Sequence, residues 1–211
     1  MVRLLARPMP LVLLLAFATL IPVAVAATRV VQLPAGWLPE DSLRLGVAPV
    51  ALWAHALAGV LFGLLGPLQF ARALRARFGA LHRWSGRIFV LAGATLALSG
   101  LGLLLRVDSI ATPLLDIARA GFSAALLLAL SLGLRAAVTR DRAAHRAWMI
   151  RAYALGMGGA TVGLVFFPLY LLKGAPITGL LSDSVFVGWW LITLALAERA
   201  IQTPNPARTP A

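Results

Sequence analysis

Apolar residues in this chain come in runs of about twenty, separated by short segments where the charges gather. A helix of ~20 residues, rising ~1.5 Å per residue, spans the hydrocarbon core of a bilayer. By length and hydropathy the runs predict about six membrane helices, over roughly Met9–Ala27, Val47–Phe70, Gly86–Leu105, Pro113–Leu134, Trp148–Leu172 and Leu180–Leu196. The expected fold class is all-α, an integral membrane helical bundle. The expected division is a first transmembrane helix or signal peptide over 1–28, a bundle domain over 47–198, and a disordered cytoplasmic tail over 199–211.

The first run supports two readings. Arg3 and Arg7 precede it, Pro22 interrupts it, and Ala24-Val25-Ala26 offers small residues of the kind found at a signal-peptide cleavage site. The stretch is also long enough to remain as an anchor. Either way, the segment after it faces outward. Arginine sets the orientation of the rest. Arg72, Arg75, Arg77, Arg83 and Arg87 cluster after the second run, and Arg135, Arg140, Arg142, Arg146 and Arg151 after the fourth. The alternate connections carry Glu40, Asp41, Asp108, Lys173 and Asp183. Because basic loops stay cytoplasmic, the two Arg-rich connections are expected inside.

Composition agrees with this pattern. The chain is 61% hydrophobic and only 12% charged, which is too apolar for an ordinary soluble domain. Its net charge of +12 sits in short inter-helix segments, so lipid phosphate explains it and no nucleic-acid partner is expected. There is no cysteine, which excludes disulfides, thiolate metal sites and cysteine nucleophiles within the chain. No phosphate-binding loop, zinc-protease motif or nucleophile elbow is present, and whether the chain is an enzyme stays open.

Three histidines carry the candidate chemistry. His82-Arg83-Trp84-Ser85-Gly86-Arg87 and His145-Arg146-Ala147-Trp148-Met149-Ile150-Arg151 are near-duplicates, each closing an Arg-rich connection and opening a helix. The duplication suggests a repeat of two helical hairpins. Facing each other, His82 and His145 would supply two axial nitrogens to the iron of one b-type haem. Arg83, Arg87, Arg146 and Arg151 would then clamp its propionates, or else anchor the helices to lipid phosphate. Trp84 and Trp148 fit an interfacial aromatic belt. Gln69 ends the second helix and can bond across to a neighbour. His55 lies roughly 22 Å along its helix from Phe70, at ~1.5 Å per residue, too far to share that iron. It is expected to bind a second cofactor, relay protons or simply pack. Asp116 can pair with Arg119 or form an outward polar site with His55.

Each histidine also shares a helix face with small residues. From His55 these are Gly59, Gly63 and Gly66; from His82, Gly86, Gly93 and Gly100; from His145, Gly156, Gly159 and Gly163. Such stripes serve close helix packing, or a flat cofactor lying on the helix.

His55, then Gly66-Pro67-Leu68-Gln69-Phe70, the Arg-rich link, the segment from Leu81 to Val90, and the segment from His145 to Leu155 resemble a family of predicted bacterial multi-pass membrane proteins catalogued as a domain of unknown function. The resemblance covers roughly His55 to Phe167 and implies an integral inner-membrane protein. More loosely, histidines on a small helical bundle are similar to transmembrane b-type cytochromes and ferric-reductase-like proteins. The leading expectation is a haem-binding electron carrier or a quinone-linked oxidoreductase subunit, with the bilayer and a membrane redox component as partners. The alternative is a transporter or assembly protein whose His-Arg motifs bind lipid phosphate or an anionic solute.

Overall fold

The structure, a computed structural model, describes residues 8–203, with backbone alone at residues 8–11, 41 and 72–74. The described residues form helices and turns, with no strand among them. Helix α1 spans Pro8–Gln32 and a 3-10 segment spans Glu40–Val47. Helix α2 spans Pro49–Phe70, the short α3 spans Arg72–Arg77, and α4 spans Gly79–Arg106. Helix α5 spans Pro113–Val138, α6 Arg142–Thr161, α7 Gly163–Lys173 and α8 Gly179–Gln202. Six stretches are long and apolar enough to cross a membrane, with α6 and α7 together making one of them.

The start and stop residues have local causes. Pro49 and Pro113 open α2 and α5, where a missing N–H costs nothing. Asp141 caps α6, its carboxylate accepting from the Ala143 and Ala144 amides at 3.1 and 2.9 Å. Gly174, at φ 68°, ends α7 in the left-handed conformation that glycine adopts without penalty. Pro22 and Pro67 both lie inside continuous helices.

Two boundaries differ from the sequence expectation in a way that matters. Helix α4 begins at Gly79 and α6 at Arg142, so both His-Arg motifs lie within the first turns of helices rather than ahead of them. Charged residues end an apolar run but do not end a helix, since arginine stems lie along the helix surface while their heads reach water. At the far end α8 runs through Gln202, so the first residues of the expected tail are helical. Arg3, Arg7 and the rest of that tail, 204–211, lie outside the described residues.

The bundle packs as the duplication suggests. Helix α2 packs most extensively on α4, and α5 on α6; α1 lies against α2, and α8 against α6. The centre is aromatic. Phe62 is fully buried and stacks on Phe89 at 4.3 Å, with Tyr153 behind them at 5.8 Å and Phe70 edge-on to Tyr153 at 5.4 Å. The glycine stripes are what admit these rings. Gly93 and Gly156 face the two edges of Phe62, and Gly66 faces Tyr153, so a Cβ at any of the three would overlap a ring. In the middle of the bundle the protein's own aromatic side chains lie on the glycine faces. The outer surface, by contrast, is clad in exposed Leu, Ile, Val and Phe, as a lipid-facing surface requires.

Candidate functional site

The chain direction puts all the Arg-rich connections at one end of the bundle and His55, with the 3-10 segment, toward the other. At the Arg-rich end, His82 and His145 occupy matching places: each is the fourth residue of its helix. Their amides make matching bonds, to the Phe78 and Asp141 carbonyls at 3.1 and 2.9 Å. The two imidazoles lie within electrostatic reach of each other, and α4 and α6 are in contact. The His145 Nδ1–H donates to the Gly133 carbonyl at 2.8 Å, so in the neutral ring it is Nε2 that carries the lone pair. This is how a metal-bound imidazole is held. The Nδ1 of His82 is buried and has no hydrogen-bond partner among the described residues.

Several of the other polar residues at this end are engaged by the protein. Gln69 donates to the Ser85 hydroxyl at 2.8 Å, tying α2 to α4. Arg87 stacks over Trp84 at 4.8 Å, and Arg151 over Trp148 at 4.7 Å, the same arginine-on-tryptophan step in both hairpins. Arg151 also grips Glu198 of α8 in a forked pair at 2.6 and 2.8 Å, and Arg146 donates to the Ala200 carbonyl at 3.3 Å. Arg83 is exposed. Three of the four candidate propionate clamps thus contact a tryptophan or α8.

At the opposite end lies a cavity of about 450 Å³, within the size range of small-molecule pockets. Every long helix contributes to it: Ala26 of α1, Gly59 of α2, Gly100 of α4, Phe122 of α5, Met157 of α6 and Trp190 of α8. Small residues make the room, and an aromatic wall closes one side, where Phe122 and Trp190 lie tilted against each other with ring centroids 4.4 Å apart. Helix α8 reaches that position because Gly158 and Gly159 let the Trp190 ring lie against α6, and its indole N–H donates to the Leu155 carbonyl at 2.8 Å.

Few polar groups line this space. His55 is one, held by a bond of 3.1 Å between Nδ1 and the Ser99 hydroxyl. The Ser123 hydroxyl sits across Gly100 from it: a Cβ placed there would lie 3.5 Å from the imidazole Cε1 and 3.7 Å from Ser123 Oγ. The remaining charges on the wall are Arg44 and Arg119. Arg44 donates to the Asp108 carbonyl at 3.2 Å, which ties the 3-10 segment to the end of α4. Arg119 pairs with Asp116 at 3.5 Å and lies over Phe186. Asp116 also accepts from Ser109 at 2.9 Å, so of the two partners open to it in the sequence it takes Arg119.

The sequence singled out His55 but neither Ser123 nor the cavity. Among the described residues no three His, Cys, Asp or Glu side chains gather as a metal site. No curated protein and no solved structure matches the chain. Residues 52–201, the span holding all three histidines, the repeated hairpins and most of the cavity wall, match one family, and the chain belongs to it: the family described as Predicted membrane protein (DUF2306).

Proposed function

We propose that the protein is a quinone-linked membrane redox subunit that binds a quinone-class ring in the His55 cavity. The observation that carries this reading is the cavity itself: membrane-embedded, of ligand size, aromatic on one wall, with His55 and Ser123 side by side. A largely apolar pocket with a few convergent polar groups is the default ligand site of a helical bundle. A ring with one or two polar substituents fits that distribution, and a lipid-soluble ligand can reach it from the bilayer. The test is titration of the detergent-solubilised protein with a short-chain benzoquinone, read by quenching of tryptophan emission, since Trp190 lines the cavity. Saturable quenching at one ring per chain is expected, and it should vanish in Ser123→Leu, which fills the cavity. Quenching that rises without limit, and identically in the variant, would remove this reading.

A second reading gives His82 and His145 to a b-type haem, with Arg83, Arg87, Arg146 and Arg151 nearby. It is favoured by one observation: the Gly133 carbonyl holds His145 by Nδ1, leaving Nε2 as the ligating nitrogen, while His82 lies within electrostatic reach on α4. When bound, the haem would supply one-electron transfer. A reduced-minus-oxidised spectrum of protein expressed with haem should then show a stoichiometric b-type signal that either His→Ala change abolishes. A featureless spectrum from folded protein would leave this end to lipid phosphate or an anionic solute.

In both readings the Arg-rich end faces the cytoplasm of a bacterial cell, on the strength of the positive-inside bias. The chain has no native cysteine, so single cysteines placed in either set of loops would report sidedness by impermeant labelling.

A further inference from the structure

His55 is held so that only one kind of partner suits it. A serine hydroxyl has a single proton. That of Ser99 lies 2.6 Å from the Thr95 carbonyl and 3.2 Å from that of Leu96, and the shorter contact takes the proton. Toward His55 the Ser99 oxygen can therefore only accept, and the bond at 3.1 Å places the ring proton on Nδ1. The Leu96 carbonyl, another pure acceptor, faces the same imidazole. Nε2 is left with a lone pair, and none of the described residues bonds it. A second proton on the ring has nothing to offset its charge. No carboxylate pairs with His55 among the described residues, and the charged side chains on the cavity wall are Arg44 and Arg119.

The neighbouring hydroxyl completes the pattern. Ser85, Ser99 and Ser131 each donate to the carbonyl four residues back in their own helix. Ser123 makes no such bond among the described residues and borders the cavity, so its proton is available. Across Gly100 it is Cε1, the ring atom bonded to Nε2, that lies nearest the shared space, and an oxygen that reaches both side chains meets an acceptor, His55 Nε2, and a donor, Ser123 Oγ–H. A hydroxyl satisfies both. A carbonyl oxygen satisfies Ser123 alone and sets its lone pairs against that of Nε2.

From this geometry we infer that the cavity selects hydroxyl-bearing rings, the hydroquinone or phenol class, over rings presenting a carbonyl or ether oxygen, with His55 as hydrogen-bond acceptor and Ser123 as donor. The inference rests on the ligand reading of the cavity given above, and names the form of the ring that it prefers.

A redox-inert pair tests it. The whole protein in lipid nanodiscs is titrated with a 4-alkylphenol and with its methyl ether, each corrected for partition into the lipid. The phenol should bind about tenfold more tightly, the weight of one buried hydrogen bond. In His55→Phe the two rings should bind alike, near the affinity of the ether. Equal affinities in the wild-type chain, lost together in Ser123→Leu, would overturn the selectivity and leave the cavity as a ligand site. No saturable binding of either ring would overturn both. Should His55→Phe fail to fold, nitrogen NMR of histidine-labelled wild-type protein decides the matter, with signals assigned through His82→Gln and His145→Gln. A protonated Nδ1 and a bare Nε2 on His55 are expected; a proton on Nε2 would overturn the inference.

Discussion

The two ends of this bundle use the same residue types to different ends. At the Arg-rich end the polar side chains mostly meet one another or the backbone: Gln69 with Ser85, His145 with Gly133, Arg151 with Glu198, Arg87 and Arg151 with their tryptophans. Among buried side-chain atoms at this end, the Nδ1 of His82 has no hydrogen-bond partner within the described residues. At the other end polar contacts form too, Arg44 with the Asp108 carbonyl and Asp116 with Arg119, but His55 and Ser123 border a cavity with bonding capacity left over. Between the ends sits the aromatic cluster around Phe62, which fills the bundle so completely that glycine is needed on two sides of one ring. A dense motif therefore marks where helices are anchored and joined. A solitary polar residue among small ones marks where space was left.

Several changes would break or sharpen that contrast. The largest effect should come from Phe62→Ala, which removes the ring both ends lean on. It should cost about 3–5 kcal/mol, seen as a lower unfolding midpoint in detergent, with ligand binding lost as the cavity wall collapses. Asp141→Ala removes the cap of α6 and should cost about 1 kcal/mol. Placing the same cap on the first hairpin, Phe78→Asp, should recover part of that loss, since α4 begins without a side-chain cap. Arg151→Met should cost roughly 0.5–1 kcal/mol, because its partner Glu198 is more than a third exposed and solvent weakens the pair. It should leave quinone quenching unchanged, which separates the two ends. Ser123→Ala should leave stability within about 0.5 kcal/mol of wild type and weaken ring binding several-fold, a loss of affinity with no loss of fold.

Much of the fold was legible in the sequence because lipid imposes a length on each apolar run and arginine marks the connections. The pairing of hairpins was legible too, in the repeated His-Arg motifs, now seen at the same turn of α4 and α6. The starts of α4 and α6 were not, since His82 and Arg83 look like loop residues by hydropathy although the helix runs through them. The fifth run hid a break at Val162, between α6 and α7, in a stretch where Gly158, Gly159 and Gly163 weaken the helix. The glycine stripes were visible, but the meaning of each depended on what lay opposite: Phe62 for Gly93 and Gly156, the His55 and Ser123 pair for Gly100. That partner comes from another helix, and no spacing along one helix names it. The cavity was hidden for the same reason, being assembled from a few residues on each of six helices.

The central claim, that ligand binds at the His55 end, is tested most directly by photo-crosslinking. A photoreactive short-chain quinone would be irradiated with the protein in nanodiscs and the adducts mapped by mass spectrometry. The account predicts adducts on peptides carrying Gly100, Ser123 or Trp190, competed away by unlabelled quinone. Competable adducts confined to the segments around His82 and His145 would contradict it.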